Sequence, residues 1–397
     1  MTEQATSEPK LLPWADQEPE EEEFVNQFTE TMEVGREKVY VASQWKLMWW
    51  RFRKHKLALL SVFITLLLYT VAIFAEFFAI ADPQEHDARQ SFIPPQSVHF
   101  FDEDGFHPFV YGIEGARDPK TLRMIYEIDE TVKYPLRFWV HGHPYKLLGL
   151  LPTDIHLMGI ETDDAKAPFY PLGTDRLGRD MWSRMVYGTR ISMSIGFVGV
   201  VLSLLLGILL GGLSGYYGGT MDTIIQRVIE FTRSLPTIPL WLSLAAALPR
   251  DWPPLRTYFM ITIILSIFGW TGLARVIRGR FLSLREEDFV MAARLSGTSE
   301  MRVIFRHMVP SFISHIIASI TLAIPAMILS ETSLSFLGLG LRPPVISWGV
   351  LLQEAQNIQS VALAPWLLAP GIAVIVAVLS FNFLGDGLRD AADPYGH

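Results

Sequence analysis

Cysteine is absent from all 397 residues, which excludes a disulfide framework, a thiol nucleophile and any cysteine metal site. Charge is scarce: 19% of residues are charged against 50% hydrophobic, with 25 Phe and 11 Trp. With positive mean hydropathy, that balance points away from a soluble globule and toward an integral membrane protein. No Gly-x-x-x-x-Gly-Lys-Ser/Thr loop occurs, so ATP phosphates cannot be cradled by that route, and "LSG" at 295–297 is a chance match to an ATPase signature. Neither Gly-x-Ser-x-Gly nor His-Glu-x-x-His is present, and no catalytic constellation is found. The first 40 residues are polar and acidic, so no cleavable signal peptide is expected. The net charge of −8 gathers in the acidic run 16–24 and in a polar block over 81–180.

Residues 1–43 are low in hydrophobicity and rich in Glu, the composition of a disordered tail. In 44–60, "QWKLMWWRFRKHKLALL", Trp45, Trp49, Trp50 and Phe52 alternate with Lys46, Arg51, Arg53, Lys54 and Lys56. This is the pattern of an interfacial helix feeding a membrane span. A nucleic-acid patch is the alternative, and the apolar run that follows at once speaks against it. About 20 apolar residues cross a bilayer. Six crossings are expected: 57–80, 191–217, a helix starting near Asp222 and carrying Pro236 and Pro239 before 248, then 258–273, 312–329 and 361–384. The expected organisation is a tail at 1–43, an interfacial helix and first span at 44–80, an extracytoplasmic unit at 81–190 and a five-helix core at 191–397. Lys and Arg before the first span place the N-terminus inside, and six crossings return the C-terminus there. The loop 281–310, with Arg285, Arg294, Arg302 and Arg306, then falls on the cytoplasmic side.

The polar block reads as a small β-rich extracytoplasmic insertion. "VHFFDEDGFHPFVYGI" (98–113) has a hairpin pattern turning at Asp104-Gly105, and "RFWVHGHPYKLLGL" (137–150) resembles another strand pair. His141 and His143 invite a metal reading, but spacing fixes no third ligand. In "PLGTDRLGRDMWSRMVYGTRIS" (171–192), Gly173, Thr174, Asp175 and Gly178 favour a capped turn, and 181–187 a short surface helix.

"DFVMAARLSGTSEMRVIFRHMVPSF" (288–312) reads as a helix capped by Asp288 and ended by Gly297 at positive φ, then a second helix capped by Thr298 or Ser299. Such a basic, exposed elbow has no chemistry of its own. It suits insertion into a groove on another protein; a solvated loop is the alternative. Gly207, Gly211, Gly215 and Gly219, each four apart, make a small-sided stripe for helix packing. Pathway candidates are polar or helix-breaking groups in apolar spans: Glu331 foremost, then Asn382, Glu230 and Pro236. Glu331 is equally readable as a structural, hydrogen-bonded carboxylate.

The elbow resembles the EAA loop of membrane permeases in ATP-binding-cassette (ABC) importers. Ala292, Ala293, Gly297 and Pro310 match its pattern in register, while Met291 replaces the Glu, His307 the Ile and Val309 the Leu. "GYYGGTMD", "SFLGLGLRPP", "SWGVLL" and "FNFLGDGLRDAADP", with the 171–196 stretch, resemble the C-type permease of the dipeptide/oligopeptide/nickel importer family. The enlarged outer block is closest to the microcin-C-type peptide subgroup. The resemblance implies an all-α, six-helix permease of the type I ABC importer fold in a bacterial inner membrane, both termini cytoplasmic. It also implies a second homologous permease, two ABC ATPase subunits that bind the ATP and Mg, an extracytoplasmic solute-binding protein, and no cofactor or nucleic acid for this chain. The ATPase-coupling residues would be Ala292, Ala293, Arg294, Gly297, Thr298, Arg302, Arg306, His307 and Pro310. Peptides are the implied substrate; oligosaccharides, nickel or opine-like solutes are alternatives. A secondary transporter is the rival class, but the central spans offer almost no ion-coupling carboxylates.

Overall fold

The computed structural model describes residues 44–102, 105–120, 124–160, 169–249 and 251–392. The acidic tail 1–43 and the first hairpin's turn residue Asp104 lie outside them. The chain opens with α1 (Gln44–Phe52) and α2 (Lys56–Ile73), where the His55 ring accepts from the Ala58 amide. A break at Phe74 leads to α3 (Ala75–Phe78), so the expected 57–80 span divides in two.

Four antiparallel strands follow in the order β1 (His99–Asp102), β2 (Gly105–Arg117), β3 (Met124–Leu147), β4 (Leu151–Ile160). The first hairpin pairs β1 with β2, but Asp102 opposes Gly105, so Gly105, expected at the turn, is the first residue of β2. In the second, 137–147 belongs to β3 alone, its tip falls at 148–150, and its partner is β4.

Helix α4 (Met181–Tyr217) runs unbroken for 37 residues, so the surface helix expected at 181–187 is the first two turns of this span. Asp180 caps it by accepting from the Trp182 and Ser183 amides. The predicted third crossing is interrupted. Helix α5 (Gly219–Ser234) ends and α6 (Thr237–Ala246) begins around Leu235, held extended at φ −79°, ψ 137°. Pro236 explains the break: it donates no hydrogen bond and disfavours helical geometry in the residue before it. Then come α7 (Pro254–Leu284), α8 (Asp288–Leu295), α9 (Ile313–Phe336), α10 (Trp348–Leu352), α11 (Ile358–Leu363) and α12 (Ala369–Ala392). Among the described residues, five segments are long and apolar enough to cross a membrane: α2, α4, α7, α9 and 365–392.

Contacts fix the direction of each helix. Ser194 meets Tyr258, Ser203 meets Ser266, Gly207 meets Leu273 and Gly215 meets Phe281, so α4 and α7 run parallel. Helix α9 is antiparallel to α4, with Ser192 near Glu331 and Gly199 near Met327. Helix α12 is antiparallel to α2, pairing Gly387 with Ala58 and Phe381 with Tyr69. One end of the bundle therefore gathers α1, the close of α4 and α7, the 288–312 elbow and the close of α12. This end is basic; the sheet and the 337–368 segment lie at the other.

The approach of α4 to α7 depends on the absence of side chains. A Cβ on Gly207 would lie 2.9 Å from the Leu273 Cβ, on Gly211 2.5 Å from the Ala274 carbonyl oxygen, and on Gly215 2.5 Å from the Phe281 Cβ. Gly219 does not continue the stripe: it lies beyond the cap at Gly218, has φ +53° and nothing near it. Ser203 donates to the Ser266 carbonyl, and Ser266 donates back to the Gly199 carbonyl. These hydroxyls add interhelical hydrogen bonds to the backbone contact. Gly211→Ala is expected to destabilise the purified protein by about 1–3 kcal/mol, the cost of overpacking. Gly272→Ala, with open space around it, should be neutral or better. Detergent-solubilised thermal melts compare them, and equal midpoints would rule out the tight seam.

Candidate functional site

The elbow has the helix–Gly–helix course its sequence suggests, but neither expected side-chain cap forms: Ser299 precedes the second helix without a cap hydrogen bond, and the first helix differs at its start. The N-cap of α8 is Glu287 with no side-chain hydrogen bond, and Asp288 is the first helical residue. Its close is a Schellman arrangement: the Thr298 amide donates to Ala293 O, the Gly297 amide to Arg294 O, and Gly297 has φ +74°. A short helix at Glu300–Arg302, following Ser299, passes into a π-type turn over Val303–Met308 and then Val309–Ser311. Wider turns of this kind recur at functional sites.

Two faces distinguish the elbow from a solvated loop. Val290, Ala293, Val303, Ile304 and Met308 are buried with Ile277, Phe281 and Phe312 in one apolar cluster. The opposite face shows Phe289, Met291, Leu295, Met301 and Phe305 to the surface, with Leu295 86% exposed. Of the predicted coupling residues, Ala292, Arg294, Gly297, Arg302, Arg306 and Pro310 are exposed, Thr298 and His307 half-buried, and Ala293 buried.

The "GYYGGTMD" motif clamps this elbow to the bundle. The Arg294 guanidinium lies 4.5 Å from the Tyr216 ring centre, and the Tyr217 hydroxyl donates to Glu300. Gly218, at φ +65°, turns the chain into α5. One turn on, Asp222 takes two 2.5 Å hydrogen bonds from Arg278 of α7 and a third from Ser214 of α4. Bidentate geometry makes this the strong form of ion pair. Sequence reading assigned Asp222 only a helix start, because its partner lies 56 positions away.

At the sheet end, the recognisable motifs converge on Glu331. Its carboxylate is fully buried; Ser335 and Ser347 each donate at 2.8 Å, and the Ser192 hydroxyl lies 3.4 Å away. Ser347 also caps α10, and Ser192 accepts the Trp348 amide. The carboxylate thus gathers α4, α9 and α10. Satisfied hydrogen bonding is what makes a buried acceptor tolerable. Glu331 is not among the residues lining the neighbouring cleft of about 500 Å³, which include Tyr187, Arg190, Ser194, Tyr258 and Pro344. The other pathway candidates lie elsewhere. Glu230 is exposed on α5 and paired with Arg227 at 2.8 Å; Pro236 is exposed at the helix break; Asn382 is half-buried on α12.

Asp175, expected only in a capped turn, and Asp180, the cap of α4, both have several partners. Asp175 accepts the Leu177 and Arg179 amides, the Arg179 Nε at 2.6 Å and the Arg184 guanidinium, while Arg179 also reaches Glu354 at 2.9 Å. Burial raises the Asp180 carboxyl to about 6 against the opposing pull of the Ser183 and Trp182 hydrogen bonds. Burial likewise opposes ionisation of Glu76, but two 2.6 Å bonds from Arg190 outweigh it and hold that carboxyl below its ordinary value. In the sheet, His141 pairs with Asp154 at 3.1 Å, whereas His143 lies against the His156 ring, 4.4 Å between centres.

The geometry defines a multi-pass helical membrane protein whose conspicuous sites are a two-faced elbow and a closed polar knot. Residues 203–395 match the family described as binding-protein-dependent transport system inner membrane component, and 43–95 match the N-terminal TM domain of oligopeptide transport permease C. The chain is 41% identical over 226 residues to the dipeptide transport system permease protein DppC of Alkalihalophilus pseudofirmus, covering 56% of this chain and 71% of that one. To the protein of the same name from Lactococcus lactis it is 33% identical over 349 residues, 87% and 89% of the two chains. Among solved structures, an inward-facing MetNI methionine ABC transporter chain aligns with TM-score 0.41 and 16% identity over 53% of this chain and 97% of that one. The chain belongs to the family of dipeptide/oligopeptide-type ABC permease C subunits. It is a transport subunit of the inner membrane, not an ATPase.

Asp175→Ala is expected to destabilise the protein by about 3 kcal/mol, because it leaves the 3%-exposed Arg184 with only Glu354 nearby, 3.9 Å away. Asp175→Leu combined with Arg184→Leu should recover part of that loss. Thermal melts compare the variants; a single variant as stable as the parent would remove the cluster from the list of structural supports.

Proposed function

We propose that this chain is one of two permeases forming the translocation path of a peptide importer, with the 288–312 elbow as the element docked by an ATPase subunit. Peptides are favoured by the names of the similar permeases. In this reading, two ATPases bind ATP and Mg, and an extracytoplasmic binding protein delivers the solute. Both termini are cytoplasmic, because the basic end holds α1, the elbow and the close of α12, in keeping with the cytoplasmic bias of Lys and Arg. Residues 81–170 form the extracytoplasmic insertion.

The parallel course of α4 and α7 supports a sixth, broken crossing, since the chain between them must return across the bundle. The 16 residues of α5 rise roughly 24 Å at 1.5 Å each, and α6 completes the passage. Helix α5 has three faces. Ile225 and Ile229 pack inward, while Met221, Ile224, Val228 and Phe231 form an exposed apolar stripe. Thr223, Arg227, Glu230 and Ser234, at helical spacing, form an exposed polar stripe. Charged groups that deep in a crossing face water or protein rather than lipid. The polar stripe is therefore the better pathway wall in this chain, and Glu331 is a structural knot at the sheet end, joining α4, α9 and α10.

The single observation that carries the coupling reading is the elbow's division into a buried, clamped face and an exposed apolar one. Exposed apolar patches of this kind mark interaction sites, and the clamp lets force on the elbow reach α4 and α7. ATP-driven closure would then act through a difference in docking contacts between two permease states.

Leu295→Glu tests this without disturbing the buried face. Purified with its co-expressed subunits, the variant is expected to lose the ATPase while retaining the second permease. Retention of stoichiometric ATPase by Leu295→Glu and by Phe305→Glu would sink the coupling role.

A further inference from the structure

The β3–β4 hairpin does not stay in the aqueous insertion. Leu136, near the start of its pairing, packs with Ile80 and Phe169. Further along, the Trp139 ring lies 5.2 Å from Phe77, and the His156 ring nitrogen Nδ1 is 2.7 Å from the Ala79 carbonyl oxygen. At the tip, Lys146, Leu148 and Gly149 line a cleft of about 550 Å³ together with Tyr69, Ala72 and Met193. The hairpin thus descends beside the bundle from the level of residue 80 to that of residue 69. Tyr69 lies four residues before the end of α2, hence about 6 Å below it. The 18 residues of α2 span about 27 Å, close to a bilayer's hydrocarbon thickness. That depth is the outer boundary of the acyl region.

The tip's chemistry suits the depth. Its turn is Leu147-Leu148-Gly149-Leu150, closed by the Leu150 amide on Leu147 O at 3.0 Å, with Leu148 at φ +53° and Gly149 at φ +73°. Two-residue turns with positive φ ordinarily carry Asn or Gly at the first position, and a leucine there is strained. Leu148, Leu150 and Leu151 are all exposed, Leu150 at 80%. In water, this would be an apolar tip held at a conformational cost. The exposed Lys146 sits one strand position above, where a long cationic side chain reaches phosphate while its stem stays apolar. Unpaired strand edges cannot enter the hydrocarbon core, which limits the wedge to the boundary.

We infer that the 146–151 tip is a membrane wedge, seated in the outer leaflet with phospholipid acyl chains against its leucines and the cleft beside α2 and α4, and with Lys146 at the phosphates. The choice of leaflet rests on the orientation proposed above; the insertion rests only on α2 crossing the membrane.

Because the chain has no cysteine, single-cysteine labelling of it is free of background. Leu150→Cys and Glu127→Cys, the second on the exposed surface of β3 away from the tip, are spin-labelled. Each is reconstituted, with its co-expressed subunits, in phosphatidylethanolamine/phosphatidylglycerol vesicles. Power saturation then compares collisions with oxygen and with a water-soluble nickel chelate. At position 150, oxygen collisions should exceed nickel collisions several-fold, with the reverse at 127. A label at 150 open to nickel would place the tip in water and overturn the inference. A label shielded from both reagents would mean that protein covers the tip, and would overturn it equally. The readout needs no transport, so a chain that recruits no ATPase would still report on its tip.

Discussion

The close approach of two parallel helices, α4 and α7, is the constraint on which the rest of the structure depends. Gly207, Gly211 and Gly215 remove the side chains that would hold the backbones apart, and the reciprocal Ser203 and Ser266 hydrogen bonds lock the seam. In a bilayer, helices gain little from hydrophobic contact with each other, so close packing and polar bonds must hold them. The parallel directions have a topological consequence: the chain between them must travel the height of the bundle. It does so through a helix pair interrupted at Pro236.

The seam also explains how the small 288–312 elbow can be held rigidly. At the basic end, Asp222 joins α5 to α7 through Arg278 and to α4 through Ser214. Tyr216 and Tyr217 close α4 and engage Arg294 and Glu300 of the elbow. Elbow, α4, α5 and α7 are thereby tied within one polar and aromatic clamp. At the opposite end, Glu331 and the Asp175 cluster do the same for α9, α10 and the start of α4. The sheet and its apolar tip are attached around this frame.

Local patterns were legible in the sequence where a single residue type imposes geometry. Gly297 ends α8 at positive φ because little else fits there. The breaking effect of Pro236 is also visible in the sequence, although a single helix from near Asp222 to 248 is expected where the structure has two. The stripe of four glycines held for three, since Gly218 turns the chain before Gly219. Long-range pairings were not legible. Arg179 meets Glu354 across 175 positions, and no spacing rule reaches that far. The same applies to Glu331: an isolated carboxylate in an apolar run leaves a pathway group and a structural one equally open, and the three serines around it are invisible to spacing. Asp288 is a good capping type, but it is the first residue of α8, and the cap position falls on Glu287, whose side chain makes no cap hydrogen bond.

The central claim is that the elbow moves as one body with α4, so that whatever moves the elbow moves the bundle. Double electron–electron resonance between spin labels at Arg302→Cys and Leu205→Cys tests it most directly, in the reconstituted complex with and without trapped ATP. A rigid clamp requires one narrow distance distribution that is unchanged between the two states. A shift of several ångströms, or a second population on ATP binding, would show the elbow moving against α4 and would contradict the claim.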